Sequence, residues 1–265
     1  MAIITLTSDL GTRSQYAAIL QGVIYTLCSE AKIVEITHEV PNFDILEAAF
    51  ILKNTYHFFP KGTIHLIAVD PNWGEQKNGV IMKLNDHYFI SPDNGIFSLI
   101  AENQAAEYIA IQTDKIPVQE FPRSFRVGGI LAPTAAVMAN GGDMNELGTP
   151  CKVKELYWGE PISTKKGIRG KIIHIDKFGN AITNITRNTF LEAKKDRSFV
   201  IVLRNMRIRK IYSTYSDVSK GEALAIFGQS GHLEISMREA AAAELLGLKV
   251  HDMISIEFGE EKVKG

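Results

Sequence analysis

The sequence predicts an α/β N-terminal domain, a mostly parallel sheet with helices on both faces, followed by a smaller C-terminal β-barrel domain. Over the first half, short β-branched apolar runs alternate with segments of helical spacing. Over the last part, short strands separated by turn residues dominate. The chain has 265 residues, of which 45% are hydrophobic and 22% charged. That length and balance suit one large or two modest globular domains.

The first elements follow a βαβαβ order, which predicts a parallel sheet. The expected strands are Met1–Thr7, Lys32–Thr37 and Thr63–Asp70, and the expected helices are Tyr16–Leu27, with Ser14 as its N-cap, and Ile45–Phe58. Ligands bind such sheets beyond the carboxyl ends of the strands. Asp9 and Asp70 both stand at such ends, so they are predicted to come together.

The remaining elements complete the domain plan. Two strands and a helix are expected at Gly79–Leu84, Tyr88–Ser91 and Ile130–Asn140, followed by strands at Lys171–Ile175, Ser198–Leu203, Met206–Ile211, Glu222–Phe227, His232–Ser236 and Met253–Phe258, with one helix at Arg238–Leu246. We therefore divide the chain into an N-terminal domain at 1–150, a linker at 151–169 and a C-terminal domain at 170–265.

Charge is distributed unevenly along the chain. Residues 1–150 hold 9 Lys/Arg and 16 Asp/Glu, a balance of −7, whereas residues 151–265 hold 20 and 14, a balance of +6. Opposite charge on two segments fits domains that dock, in one chain or between subunits. The basic excess is too small to indicate a nucleic-acid partner. A basic strand at Arg204–Lys210 is expected to be a solvated face or a subunit contact rather than an RNA-binding face.

Several classes are excluded by missing features. The sequence has no run of 18 uncharged apolar residues and no signal-peptide pattern, so a cytoplasmic protein without a membrane partner is expected. Cys28 and Cys151 are too few for a disulfide framework and are expected to be inert. No GxGxxG, Walker A, HExxH or GxSxG motif is present, so neither a metal nor an organic cofactor is predicted.

With those motifs absent, the candidate functional residues are acidic and amide side chains on loops. Asp9 could accept two hydrogen bonds from a ribose diol, or it could cap the following helix. Asp70 could belong to the same site, or the Asp-Pro pair could only form a turn. The segment 175–180 (IDKFGN) offers Asp176 and Asn180 as hydrogen-bonding groups and Phe178 as a stacking face for a purine nucleoside. A tight hairpin turn is the competing interpretation.

Six blocks in order carry a resemblance along nearly the whole chain: TSDLG at 7–11, ITHEVPNFD at 36–44, FFPKGTIHLIAVDP at 58–71, SPDNG at 91–95, IDKFGNAITNI at 175–185 and AAELLGLKVHD at 242–252. Together they resemble the S-adenosyl-L-methionine (SAM) hydroxide adenosyltransferases, which hydrolyse SAM to adenosine and are relatives of fluorinase and chlorinase. The resemblance implies SAM as substrate and no cofactor. It also implies a homotrimer whose active sites lie between the N-domain of one subunit and the C-domain of the next.

Residue roles carry over from this resemblance by position. The implied substrate-binding residues are Asp9 at the ribose hydroxyls, Phe43 at the sugar and adenine, Asn94, Phe125, and Asp176, Phe178 and Asn180 on the far side of the pocket. The adenine edge is expected to meet backbone within 231–240.

The reacting groups depart from the family pattern. Its hydrolases use an Asp-Arg-His set to position and activate water; Asp70 matches the Asp, Lys77 stands where Arg is expected, and Arg126 replaces the His. Lys77 lacks the planar fork of Arg, and Arg126 cannot act as a base. Trp73, in the same altered loop as Lys77, is expected to form a lid or to pack in the turn.

Three hypotheses follow. In the first, the chain hydrolyses SAM to adenosine and L-methionine, with Asp70 orienting the water and Lys77 and Arg126 as electrostatic partners. In the second, it is a non-catalytic adenosine- or SAM-binding protein that has lost the Asp-Arg-His set. In the third, motivated by Ser14 where an acidic residue often stands, it cleaves another 5′-adenosyl compound. A halogenase is disfavoured because the carboxylate of Asp70 would repel a halide.

Overall fold

The computed structural model describes residues 2–70, 79–118, 120–203 and 206–260. It divides the chain into two compact units, Met1–Tyr157 and Trp158–Gly265. The segment expected as a linker, 151–169, contains a short strand and the beginning of a long one, both in the second unit. Within the described ranges, no helix combines the length and apolarity needed to cross a membrane.

The first unit is built on a seven-stranded sheet. Its strands are β1 (Ile3–Ser8), β2 (Lys32–Thr37), β3 (Ile64–Ala68), β4 (Val80–Leu84), β5 (His87–Ser91), β6 (Glu107–Ile111) and β7 (Gly148–Pro150), in the spatial order β2-β1-β3-β5-β4-β6-β7. Strands β2, β1, β3 and β5 are mutually parallel, and β6 runs in the same direction because it is antiparallel to β4, itself antiparallel to β5. The sheet is therefore mostly parallel, and the predicted fold class is confirmed.

Helices cover both faces of this sheet. They are α1 (Tyr16–Leu27), α2 (Ile45–Lys53), α3 (Ile96–Ala101) and α4 (Ala132–Ala139). On one face, Leu20 of α1 and Ala135 of α4 join the buried core with Leu6 and Leu66 of the central strands. On the other face, α2 packs against α3 and β1. Alternation along β1 and β3 places successive side chains on opposite faces, which lets both faces be buried.

The second unit is a nine-stranded sheet that curls into a nearly closed barrel. Its strands are β8 (Ile162–Thr164), β9 (Gly167–Ile175), β10 (Ala181–Thr186), β11 (Phe199–Val202), β12 (Arg207–Ile208), β13 (Ile211–Tyr212), β14 (Ala223–Phe227), β15 (His232–Met237) and β16 (Met253–Phe258), with the helices α5 (Arg187–Lys194) and α6 (Ala242–Leu246). The strand order is β12-β11-β16-β9-β10-β15-β14-β13, with β8 on β9. The two ends of this order, β12 and β13, are consecutive in the chain, which brings the edges of the sheet near each other. Phe190 of α5 closes the core by packing against Phe199 and Phe227.

Several predicted elements have different bounds for local reasons. The helix expected at 238–246 begins only at Ala242, because Glu239 adopts a left-handed backbone (φ 55°) in a tight turn. The helix expected at 45–58 ends at Lys53. Ser14 is not an N-cap: its hydroxyl donates to the Leu10 carbonyl at 2.9 Å, and Gln15 occupies the cap position without a side-chain bond.

Candidate functional site

A carboxylate just after β1 organises the edge of the first unit at which its parallel strands end. Asp9 Oδ2 accepts hydrogen bonds from two backbone N–H groups, that of Phe43 at 2.9 Å and that of Asp70 at 3.2 Å. It thereby joins the loops that follow β1, β2 and β3. Parallel strands end at one edge, so these three loops meet there. No helix-capping bond to Asp9 is found among the described residues, and that alternative is set aside.

Both residues held by Asp9 have unusual backbones. Phe43 (φ 67°) and Asp70 (φ 45°) occupy the left-handed region, which is uncommon for any residue except glycine and is tolerated better by Asp than by Phe. Such conformations cost about 1–3 kcal/mol each and persist where surrounding contacts impose them. Here the imposing contact is the shared carboxylate. The Phe43 side chain is 61% exposed, so its ring is available to a ligand.

Asn94 lies beneath this edge rather than on it. Its side chain is buried; Nδ2 donates to the Val69 carbonyl at 2.9 Å, and Oδ1 accepts from the Ile96 N–H at 3.2 Å. Both ends of the amide are therefore engaged with backbone. Asn94 ties the end of β3, immediately before Asp70, to the first turn of α3. Its role as a substrate-binding residue stays a prediction, and its observed contacts are those of a positioning residue.

Phe125 and Arg126 lie on a separate segment that leads into α4. The Phe125 ring packs against Tyr16 and Phe121, with ring centroids 5.1 and 5.5 Å apart. It also covers Gly128, where any Cβ would collide with the ring. Arg126 is half-buried and directly precedes a π-helical stretch, Val127–Leu131. Such stretches are rare and are frequently found at functional sites. Lys77 and Trp73 lie outside the described residues.

A serine–histidine pair supports the Asp9 loop from behind, and sequence reasoning missed it. Ser8 Oγ lies 2.6 Å from His38 Nδ1, and both residues are buried. Ser8 Oγ also accepts from the Leu10 N–H at 3.3 Å, and the His38 carbonyl accepts from the Gly11 N–H at 2.8 Å. The available signal was that Ser8 ends one strand and His38 follows its parallel neighbour, in the TSDLG and ITHEVPNFD blocks.

The second unit contains a cavity of about 580 Å³. Its lining combines the predicted segment with a turn and an aromatic ring: Asp176, Phe178, Asn180, Tyr215, Met237, Arg238, Glu239, Ala240 and Ala241. The three residues predicted here from sequence are thus brought together in one cavity. Tyr215 was missed, because nothing local in the sequence links it to the 175–180 loop.

The 176–180 loop is a tight turn that also lines the cavity, so its two interpretations are compatible. Asp176 Oδ1 accepts from the N–H groups of Phe178 and Asn180, both at 2.9 Å, and Oδ2 accepts from Asn180 Nδ2 at 2.8 Å. Gly179 has φ 81°, and its carbonyl accepts from the Ala243 N–H at 2.8 Å. The loop is thereby docked on the first turn of α6. Phe178 is 78% exposed, a ring presented to a ligand.

Residues 237–241 form the opposite wall of the cavity. Met237 and Ala240 bridge across a turn in which Glu239 has the left-handed backbone described above. Arg238 is held by a bond from Nη1 to the Val218 carbonyl at 2.9 Å. This wall overlaps the stretch 231–240 where the adenine edge is expected.

Two titratable groups at the cavity, Tyr215 and Glu234, have raised pKa values. Burial raises the pKa of the Tyr215 phenol to about 12, with further contributions from the carboxylates of Glu234 and Asp176. Burial likewise raises the pKa of Glu234 above its usual range. In the part of the chain that the structure describes, no three His, Cys, Asp or Glu side chains are grouped in a way that could hold a metal ion.

Comparisons with known proteins cover both units. The family model for the SAM hydroxide adenosyltransferase N-terminal domain matches residues 4–148, and that for the C-terminal domain matches residues 170–255. Among curated relatives, an (R)-S-adenosyl-L-methionine hydrolase of Methanocaldococcus jannaschii is 30% identical, covering 97% of this chain and 96% of its own. A fluorinase of Actinoplanes is 27% identical over 72% of this chain and 74% of its own.

A solved structure supports the same assignment. An uncharacterized conserved protein from Thermotoga maritima superposes with a TM-score of 0.86 at 28% identity, covering 97% of this chain and 99% of that one. Two family models in the expected order, a relative at 30% identity and a whole-chain structural match agree with one another. This chain belongs to the SAM hydroxide adenosyltransferase family.

Proposed function

We propose that this protein hydrolyses SAM to adenosine and L-methionine by attack of water or hydroxide at C5′. The observation that carries the proposal is the cavity of about 580 Å³ in the second unit, which the predicted Asp176, Phe178 and Asn180 line together. It is supported by relatives named (R)-S-adenosyl-L-methionine hydrolase that are 24–30% identical to this chain.

The reaction makes modest demands on the protein. An oxygen of water bonds to C5′ while the C5′–S bond breaks, and its electron pair converts the sulfonium to the neutral thioether of methionine. The water proton passes to solvent. Because the leaving group is neutral, no general acid is required, and the protein has to orient the water and exclude competing solvent.

Named residues are assigned to these tasks. Asp70 orients the attacking water, with Lys77 and Arg126 as electrostatic partners. Asp9 holds the ribose hydroxyls through Oδ1, which has no donor among the described residues, while Oδ2 is engaged by backbone. Phe43 and Phe125 offer aromatic faces, and Asn94 fixes the strand end that carries Asp70.

We further propose the assembly and setting that the family resemblance implies. These are a cytoplasmic homotrimer with active sites between subunits, SAM as a small-molecule substrate, no metal or organic cofactor, and no nucleic-acid or membrane partner. The balances of −7 and +6 on the two parts of the chain favour contact between unlike domains. Sedimentation equilibrium would test the trimer.

The decisive assay follows adenosine and methionine in purified protein incubated with SAM, beside a protein-free control. We expect the two products in equal amounts, and a fall of about a hundredfold in Asp70→Asn, since loss of the group that orients the attacking water costs a factor of that order. Asp86→Asn is the matched control, because Asp86 is also an aspartate with a left-handed backbone (φ 61°) but lies on an exposed turn away from Asp9. Equal rates in Asp70→Asn and the parent would contradict the assigned role.

A non-catalytic adenosine- or SAM-binding protein is the second candidate, and Arg126 favours it because a guanidinium cannot accept the proton of water. Protection against thermal unfolding by SAM or adenosine, with no adenosine formed, would establish this alternative. A rise in hydrolysis in Arg126→His combined with Lys77→Arg would show that the natural chain has drifted from the activity.

A further inference from the structure

A carboxyl group is buried behind the cavity of the second unit. Glu234 lies in the middle of β15, between Ile182 of β10 and Ile226 of β14, and is only 7% exposed. Burying a carboxyl is costly unless its oxygens are hydrogen-bonded. Oε2 accepts a hydrogen bond of 3.1 Å from the hydroxyl of Tyr215, the aromatic residue that lines the cavity.

The space for this carboxyl depends on a glycine. At Gly228, just beyond the end of β14, any Cβ would overlap the carboxylate of Glu234. The backbone there is fixed by a bond from the Gly228 N–H to the His232 carbonyl at 3.1 Å. A side chain at 228 would therefore displace the carboxyl, so the two positions act together.

The other end of Tyr215 is fixed by its own turn. Tyr215 begins a 3₁₀ turn, Tyr215–Asp217, closed by a capping box between Thr214 and Asp217. The Thr214 hydroxyl donates to Asp217 Oδ1 at 2.9 Å, and the Thr214 N–H to Oδ2 at 3.1 Å. The backbone of Tyr215 is thus immobilised on one side and its hydroxyl on the other.

We propose that Glu234 is a positioning residue: it fixes the ring of Tyr215 as a rigid wall of the nucleoside cavity, in space that Gly228 leaves open. The proposal rests on the proposed function for the identity of the ligand. Burial raises the pKa of Glu234, the hydrogen bond from Tyr215 opposes that rise, and the nearby Asp176 and His174 make smaller contributions that raise and lower it respectively. The dominant effect of burial agrees with a carboxyl group whose main contact is the Tyr215 hydroxyl and not solvent.

Adenosine binding measured by calorimetry tests the proposal. Tyr215→Phe keeps the ring and loses the bond, and Glu234→Leu loses the acceptor; each is expected to weaken binding about tenfold, with a matching rise in KM for SAM and kcat within about twofold. Glu234→Gln retains an acceptor oxygen and should bind within about threefold of the parent. Glu257→Gln, an exposed glutamate on β16, is the control and should be unchanged.

The double variant Tyr215→Phe/Glu234→Leu decides whether the two residues act as a pair. Binding no weaker than in either single variant supports the proposal, because one hydrogen bond is lost in all three. Multiplicative losses would overturn it, and so would unchanged affinity in both single variants of a protein that binds adenosine.

A ligand-free readout separates this proposal from the proposed function. In protein with labelled tyrosine, NMR relaxation should show the Tyr215 ring ordered in the parent and in Glu234→Gln, and mobile in Glu234→Leu. An equally ordered ring in Glu234→Leu would overturn the positioning role, whatever the ligand. A parent that neither binds nor cleaves SAM or adenosine would overturn the proposed function alone.

Discussion

At the scale of single residues, the carboxylate of Asp9 holds two loops of the first unit at once. Oδ2 of Asp9 accepts the N–H groups of Phe43 and Asp70, both in left-handed conformations. The same carboxylate therefore holds both residues in their strained conformations. The Ser8–His38 pair stiffens the same loop from its buried side.

Removal of the Asp9 carboxylate should release both strained residues. We expect Asp9→Ala to lower the free energy of unfolding by about 1–3 kcal/mol, since two backbone donors lose their charged acceptor. Asp9→Asn keeps an acceptor oxygen and should lose less than half as much. Urea unfolding followed by circular dichroism measures both, and equal losses in the two variants would show that the bonds to Oδ2 contribute little.

At the scale of elements, the cavity of the second unit depends on the close docking of the 176–180 loop beside α6. An ideal Cβ at Gly179 would lie 2.7 Å from Ala241 Cα, so only a glycine permits this approach. Gly221 has a similar backbone, φ 76° against 81° at Gly179, but open space around it. A comparison of alanine variants at the two glycines therefore separates the free-energy cost of a left-handed backbone from the cost of a steric clash.

Alanine at the two glycines should therefore have different effects. Gly221→Ala is expected to lose about 1–2 kcal/mol of unfolding free energy, the cost of a left-handed backbone alone. Gly179→Ala should lose about 1–3 kcal/mol more through overpacking against Ala241. It should also weaken adenosine binding, because it displaces Phe178 and Asn180. Denaturant unfolding and calorimetry would measure this, and indistinguishable variants would refute the role of close docking.

At the scale of the whole molecule, a buried pair of histidines makes stability depend on pH. His65 is fully buried; its Nδ1 lies 2.7 Å from the Thr5 hydroxyl and its Nε2 lies 3.3 Å from Nδ1 of His87. Burial, with repulsion from His87, lowers the pKa of His65 to about 3. The unfolded chain binds a proton there below about pH 6.5, whereas the folded protein does not. This contribution to stability is therefore complete above pH 6.5 and is lost progressively as pH falls toward 3.

The pH dependence can be isolated with one substitution. His65 should account for a loss of about 2 kcal/mol between pH 6.5 and 5, at about 1.4 kcal/mol per pH unit. We expect His65→Gln to have a shallower slope by about one proton, and the exposed His251→Asn to keep the parental slope. Urea titrations at pH 7, 6 and 5 would measure it, and parallel curves for His65→Gln and the parent would rule out this explanation.

Sequence reasoning reached the fold class, and it named residues that the structure brings close together, because those features have local signatures. Parallel strands end together, so Asp9 and Asp70 could be placed at one edge, and a six-residue loop contained Asp176, Phe178 and Asn180. Contacts that depend on tertiary approach had no such signature. Tyr215 reaches Glu234 across 19 positions, and Ser8 reaches His38 across 30. Helix α3 was missed because it has only six residues, five of them apolar, without the periodicity that identifies a surface helix.

The arrangement around Asp9 has a consequence for how this scaffold can diversify. Phe43 and Asp70 are held through their backbone N–H groups, which every residue except proline possesses. The identity of the side chain at either position is therefore independent of the bond that places it. Substitutions at these positions can therefore replace the reacting groups while the backbone hydrogen bonds to Asp9 stay in place. Asn and Gly would be the least strained replacements. A fold with this property can change its chemistry through single substitutions without first rebuilding its framework.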